Sequence, residues 1–229
     1  MKKGQAIEET YNKIKDMMYY NELAPGQKLI YQELARRLNV SITPITQALS
    51  RLKDSNLVRY IPNRGYFVRE ITEEEVNELY DARAALETWL VPAVIRNLNS
   101  QNVREIKKSF RQYSAESENH RLLIIKDAQF HLKIAELSNN KTICRLLTGI
   151  FEEICIKYRP EYMGFERIGQ AVQEHREILN ALKKRDADAA IAAMIDHNQR
   201  GREHVLLSLR RNRSINFSKD FSAPEVRKG

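Results

Sequence analysis

Hydrophobic positions in this chain recur at intervals of three and four almost from end to end, with one short β-branched interruption. Ile7, Tyr11, Ile14 and Met18 predict a helix over residues 5–21, which Ala24-Pro25-Gly26 ends. Leu34, Ala35 and Leu38 share one face of YQELARRL, and Ile45, Ala48, Leu49 and Leu52 share one face of SITPITQALSRLKDSN. Asn39 and Val40 leave room only for a sharp turn between the two helices. Ser41 or Thr43 can cap the second, and Pro44 falls in its first turn, where a missing N–H costs nothing. Such a helix presents Ile42, Thr43, Thr46, Gln47 and Ser50 outward. Val58 to Ile61 and Tyr66 to Val68 then flank Pro62-Asn63-Arg64-Gly65, a turn composition that predicts a hairpin with Arg64 at its tip. The sum is a helix-turn-helix with a two-stranded wing.

Thr72 followed by Glu75 forms a capping-box pattern, so a long helix starts near Glu73. Val76, Leu79, Tyr80, Leu86, Leu90 and Val94 mark it as far as Asn97. Val103, Ile106, Phe110 and Tyr113 mark a second. A third runs from Asn119 to Leu137 with Leu123, Phe130 and Ile134 inward, and Ser138-Asn139-Asn140 stops it. Ile143, Leu147, Ile150, Phe151, Ile154 and Tyr158 define a fourth, closed by Pro160. Ile168, Val172, Ile178, Leu179 and Leu182 define a fifth, and Ala190, Ile191, Met194, Val205 and Leu209 a sixth. Six amphipathic helices with short connections imply an antiparallel bundle. The expected architecture is therefore mainly α: a winged helix-turn-helix over residues 1–70, an all-α bundle over 73–210 and a mobile polar tail over 211–229.

Charge sharpens this division. The chain of 229 residues has a formal net charge of +8, and residues 1–70 hold 12 Lys and Arg against 7 Asp and Glu. The remaining residues hold 26 against 23, so basicity per residue is highest where phosphate contacts would be made. Cys144 and Cys155 lie too far apart along one helix for a disulfide, and neither belongs to a CxxC motif. No signal peptide or membrane-length apolar run is present, which makes a cytoplasmic protein the expectation.

Several polar residues sit where the bundle pattern calls for apolar ones. Asp127 and His131 are one turn apart and in register with Leu123 and Ile134. His175 lies between Val172 and Ile178, and His197 between Met194 and Gly201. Groups of this kind are not buried without partners, and one divalent metal would serve all four. One carboxylate and three imidazoles suit Zn, Ni, Mn or Fe, with positions left open. His120, at a helix start, and His204, about 10 Å along the axis from His197, are read as structural or surface residues. Arg83 and Glu87 share the inward face of the first bundle helix. They suit either an internal ion pair or a carboxylate clamp in which Arg83 grips a ligand and Glu87 orients it. Arg159 is a weaker candidate for the same cavity.

The first 70 residues resemble the DNA-binding domain of the GntR family of bacterial transcription regulators. The matching residues are AlaProGly at 24–26, GluLeuAla at 33–35, ThrPro at 43–44, AlaLeu at 48–49, ArgLeu at 51–52, LeuVal at 57–58 and ProAsnArgGly at 62–65. The resemblance implies operator DNA as partner, met by Tyr31, Gln32, Ser41, Ile42, Thr43, Thr46, Gln47, Arg51, Arg64 and Gly65. Family members usually carry Arg at the positions of Ile42 and Thr46 and often Glu at Gln47, so a different operator is expected here. AspAlaGlnPheHis at 127–131, SerAsnAsn at 138–140, GluHisArgGluIleLeu at 174–179 and His197 resemble the FCD ligand-binding domain of one GntR branch, and six helices look like its VanR-type subgroup. That resemblance implies a divalent metal on Asp127, His131, His175 and His197, a small carboxylate effector held by Arg83, and a homodimer. A homodimer also follows from the few base pairs that one winged domain can read. A metal-dependent hydrolase is a poorer reading, because no general base stands out on a loop and a helix-turn-helix would have no purpose. An architectural DNA-binding protein with a structural bundle would be better served by an apolar core.

Overall fold

The computed structural model describes residues 3–116, 119–159 and 165–220. The winged unit contains α1 (Lys3–Tyr19), β1 (Lys28–Leu29), α2 (Tyr31–Leu38), α3 (Ile42–Asp54), β2 (Val58–Ile61) and β3 (Gly65–Val68). Its strands form one antiparallel sheet in the order β1-β3-β2. In the hairpin Val58 faces Val68 and Ile61 faces Gly65. The turn closes through the Arg64 N–H, which donates to the Ile61 carbonyl at 3.0 Å. Pro62 presets the backbone of the second turn residue, and Asn63 takes the positive φ of 61° needed at the third. Strand β1 pairs through Leu29 opposite Tyr66. At two residues it is too short to show any period.

Asn39 produces the sharp turn between α2 and α3, since its left-handed φ of 52° is a conformation Asn tolerates better than most residues. Ser41 occupies the N-cap of α3, but its side chain makes no capping hydrogen bond, and Thr43 lies inside the helix. The expected side-chain cap is therefore absent, and both hydroxyls stand on the exposed side. Ile14, Met18, Leu34, Ile45, Leu49, Leu52 and Val68 are buried in the core of this unit.

Six helices follow among the described residues: α4 (Glu73–Asn97), α5 (Ser100–Ser114), α6 (His120–Glu136), α7 (Lys141–Lys157), α8 (Phe165–Lys184) and α9 (Ala187–Asp220). The capping box forms in full: Thr72 Oγ1 accepts from the Glu75 N–H and the Glu75 carboxylate accepts from the Thr72 N–H, each at 3.1 Å. Asn99, Asn119 and Asn140 cap α5, α6 and α7 in the same side-chain manner. The last helix runs well past residue 210 to Asp220, so the expected polar tail is helical over its first half. Residues 221–229 and Pro160, the proposed stop of the fourth bundle helix, lie outside the described residues. No described helix is long and apolar enough to cross a membrane.

Helix α7 joins the two units. Phe151 and Ile154 face the bundle, whereas Ile156 belongs to the core of the winged unit. On the same side Lys15 meets Glu152 at 2.9 Å and the Asn56 amide donates to Glu153 at 3.1 Å. Lys157, with its side chain wholly buried, is held between Glu153 at 2.7 Å and Glu75 at 3.0 Å.

Candidate functional site

Three bundle helices bring the polar set together. Helix α6 supplies Asp127 and His131 from adjacent turns, α8 supplies His175 and α9 supplies His197. All three imidazoles are buried. Their Nε2 atoms form a triangle with sides of 3.1, 3.1 and 3.3 Å. Asp127 Oδ1 lies 3.1 Å from the His175 Nε2 and 4.0 and 3.9 Å from those of His131 and His197.

Carboxylates behind the imidazoles decide where their protons sit. The Glu87 carboxylate is 2.7 Å from His131 Nδ1, and that of Glu174 is 2.8 Å from His197 Nδ1. The Glu174 hydrogen bond places the His197 ring proton on Nδ1, and the negative charge of Glu87 beside His131 Nδ1 favours the same tautomer there, leaving the Nε2 lone pairs free. Two such lone pairs 3.1 Å apart repel unless a cation lies between them. Donors adjacent around one first-row ion, at bond lengths of about 2.1 Å, stand about 3.0–3.4 Å apart, so the triangle fits a single metal. The buried His175 Nδ1 has no hydrogen-bond partner. The donor set of three imidazoles and one carboxylate fits a divalent metal.

Electrostatics are dominated by burial and by the carboxylates. Burial pushes the pKa of His197 down to about 3, with His175 adding to the shift, and burial likewise lowers that of His175 against the pull of Asp127. Burial would raise Asp127, but the hydrogen bond from His175 and the charge of Arg83 hold it well below the usual carboxylate range. For Glu87, too, burial is outweighed by Arg83 and His131, and its carboxyl stays ionised.

Arg83 reaches the centre: its guanidinium lies 3.2 Å from His197 Nε2 and 3.8 Å from Asp127 Oδ2, over the ring of Phe151 at 4.6 Å. Glu87, expected among the effector-binding residues, stands behind this layer instead. Its oxygens meet His131 at 2.7 Å, Arg83 at 3.2 Å and the Asn198 amide at 2.7 Å, and it forms no part of the cavity wall. The ion pair expected between Arg83 and Glu87 is formed, and a residue on an inward face can point at a neighbouring imidazole's second nitrogen as readily as at open space. Arg159, the weaker candidate, is drawn away to the Pro25 carbonyl and Glu70.

A cavity of about 70 Å³ opens beside Arg83, Asp127 and His197. Its wall also contains Tyr80, Tyr113, Tyr158, Arg167, Gly201 and His204. A Cβ on Gly201 would come within 3.0 Å of the Tyr80 ring, so this glycine lets the ring seat against α9. Arg167 is locked to Glu174 by two bonds of 3.1 Å, and Glu174 in turn holds His197. Sequence reasoning missed Glu174, Arg167 and Asn198 and set His204 aside. Glu174 had one available signal, a carboxylate directly beside a candidate ligand. Arg167 had none, since nothing along the chain marks it as facing the cavity.

On the winged unit, the expected DNA-facing residues lie mostly on one exposed side. Gln32, Ser41, Ile42, Thr43, Thr46, Gln47 and Arg64 are exposed, while Tyr31 and Gly65 are partly buried. Tyr31 packs edge-on against Tyr66 at 6.1 Å. Arg64 leans over Phe67 at 5.6 Å. Arg51 is tied to α1, with its guanidinium 2.7 Å from Glu8 and 4.5 Å over the Tyr11 ring. It therefore serves α1–α3 packing in this structure as well as the exposed face.

An outward-facing second helix and a wing, carried on a bundle with a polar centre, define a winged helix-turn-helix DNA-binding protein with a helical companion domain. Residues 6–68 match the family model for bacterial regulatory proteins of the gntR family, and residues 78–200 match the FCD domain. The chain belongs to the GntR family, in the branch that carries an FCD domain, and is a DNA-binding transcriptional regulator of that type. It is 26% identical over 198 residues to the uncharacterized HTH-type transcriptional regulator YdhC of Bacillus subtilis, covering 85% of this chain and 88% of YdhC. It is 28% identical over 181 residues to the HTH-type transcriptional regulator McbR of Escherichia coli, covering 77% and 82%. The fold matches the E. coli McbR/YncC structure with a TM-score of 0.77 at 22% identity, covering 89% of this chain and 98% of that one. A putative GntR regulator from Rhodococcus sp. RHA1 matches with a TM-score of 0.78 at 23% identity, covering 87% and 97%. Family and relatives are regulators of transcription rather than enzymes.

Proposed function

We propose that this regulator senses a small organic acid at a divalent metal in its bundle, and that the acid resets its affinity for operator DNA. The observation that carries the reading is the triangle of Nε2 atoms, two of them backed by carboxylates at Nδ1. Asp127, His131, His175 and His197 would hold the metal, which supplies a Lewis-acidic centre for a carboxylate oxygen. Arg83 offers its planar fork to the same carboxylate. Glu87 and Glu174 fix the imidazole orientations, and Tyr80, Phe151 and Tyr158 line the cavity beside them.

Helix α7 is the natural coupling element, because Phe151 and Ile154 line the cavity while Glu152, Glu153 and Ile156 engage the winged unit. A ligand that favours one packing of α7 shifts operator affinity by its differential affinity for the two states. Two copies would read an inverted repeat. The exposed apolar row Ala82, Ala85 and Trp89 on α4 supports such a pairing, Trp89 being 75% exposed. Light scattering of free and operator-bound protein tests it, and a mass of one chain in both states would contradict it.

Ile42 and Thr46 offer methyl groups suited to thymine, and Gln47 can pair with adenine through both amide atoms. Selection on random DNA checks this, and a half-site whose tightest requirement is a guanine under α3 would sink it. Elemental analysis followed by a melting screen of carboxylates tests the sensing reading. The metal assignment fails if the protein carries no stoichiometric metal and takes none up. The effector assignment fails if Arg83→Ala responds to the hit as the unaltered protein does.

A further inference from the structure

We propose that the cavity selects a small monocarboxylate bearing an uncharged hydrogen-bonding group at the end remote from its carboxylate, and that His204 reads that group. This inference rests on the carboxylate reading above and adds the chemistry of the ligand's far end.

Arg83 and Asp127 meet at His197 on the cavity wall, and His204 lies on the same wall seven residues further along α9, about 10 Å along its axis. The rest of the wall is largely aliphatic and aromatic, with Leu123, Ile124, Ile154, Ala171 and Val205 beside the phenols of Tyr80, Tyr113 and Tyr158, and Arg167 is linked through Glu174 to His197. A ligand anchored at Arg83 and His197 extends its body along this wall toward His204. The His204 Nε2 is buried and has no hydrogen-bond partner. A polar atom left unsatisfied on a cavity wall marks a place that a ligand group can satisfy.

Charge decides what kind of group that is. Two cations act on His204: Arg167, whose terminal nitrogens each bond Glu174 at 3.1 Å, and Arg211, which is exposed to solvent. Burial and the charges of Arg167 and Arg211 keep His204 itself neutral. Within the enclosed cluster, Arg83, Arg167 and a divalent ion face the carboxylates of Glu87, Asp127 and Glu174, which leaves one positive charge. One ligand carboxylate neutralises it. A second would be a buried anion with no counter-charge. A hydroxyl or carbonyl at the far end instead gains the His204 hydrogen bond without that penalty.

Three four-carbon probes separate the possibilities on the metal-loaded full chain: butyrate, 4-hydroxybutyrate and succinate, with calorimetric dissociation constants and thermal midpoints as readouts. The expected order puts 4-hydroxybutyrate about 10-fold tighter than either of the others, the equivalent of one well-made hydrogen bond. His204→Ala should reduce its advantage over butyrate to within about 2-fold and leave butyrate affinity unchanged, while His204→Gln, which keeps a side-chain donor and acceptor, should retain part of the advantage. The ligand-free midpoint of each variant reports folding, and if His204→Ala does not fold the ranking in the unaltered protein and in His204→Gln decides. Succinate binding as tightly as 4-hydroxybutyrate, or an advantage that survives His204→Ala, overturns the inference and leaves the carboxylate reading intact. No response to any of the three in the metal-loaded protein overturns that reading and this inference together.

Discussion

The winged unit and the bundle bury side chains of different kinds. In the winged unit the buried cluster is hydrophobic, and the one buried polar residue among its described residues, Thr10, bonds locally to the Ala6 carbonyl at 2.7 Å. The bundle buries Arg83, Glu87, His131, Glu174, His175, His197 and Asn198 in one connected set. An apolar core of the same volume would be at least as stable as such a network, so stability alone does not explain it. The lesson concerns where each unit does its work. The winged unit presents function on its outside and uses its inside only to hold that surface. On the function proposed above, the bundle works from its centre.

Four outcomes would break or sharpen this contrast, taken from the largest effect down. Stripping a tightly held metal with a chelator should cost the bundle about 4 kcal/mol if the site is near a thousandfold saturated. For a chain of this size that is a fall of about 8–16 °C in the thermal midpoint. His175→Ala should abolish the chelator response, and an unchanged midpoint in the metal-loaded parent would erase the contrast.

Leu49 is wholly buried in the apolar cluster of the winged unit. Leu49→Ala should destabilise that unit by about 3 kcal/mol and weaken operator binding, with metal stoichiometry unchanged. Denaturant melts combined with elemental analysis measure both quantities, and loss of metal in this variant would mean that the two interiors are not independent. Thr72→Ala removes the side-chain half of the capping box where the units meet, at a cost of about 1 kcal/mol. A chemical-denaturation midpoint equal to that of the parent would show the cap to be incidental.

The smallest effect is a pH dependence at the junction. Burial would raise the Glu75 carboxyl, but Lys157, the Thr72 N–H and Arg69 outweigh burial and hold it below the ordinary glutamate value. A folded pKa below the unfolded one stabilises at pH values above the unfolded value of about 4.3 and loses that stabilisation as pH falls through the folded value. Melting midpoints should therefore fall more steeply below about pH 4 in the parent than in Glu75→Gln. Identical slopes would assign the acid sensitivity to other groups.

Helical period, turn chemistry and caps were legible because each is a property of neighbours along the chain. Leu34 with Leu38, Thr72 with Glu75 and Pro62-Asn63 are local statements, and the structure contains the elements they imply. The ligand candidates were legible for a related reason: a polar residue in phase with Leu123 and Ile134, or with Val172 and Ile178, is conspicuous against its own helix. Strand β1 was not legible because two residues carry no period. The Ser41 cap was over-read, because a capping residue type permits a side-chain bond but does not compel one.

What the sequence by itself determined is therefore the helices and the hairpin, the two units and which polar side chains face inward. Tertiary structure alone decided which groups across different helices share a partner. Glu87 turned out to back His131, Glu174 to bridge His197 and Arg167, and His204 to line the cavity seen beside Arg83. Helical phase gives the direction of a side chain to within a face, but hydrogen bonds and metal coordination discriminate at tenths of an ångström between atoms brought together by helix packing.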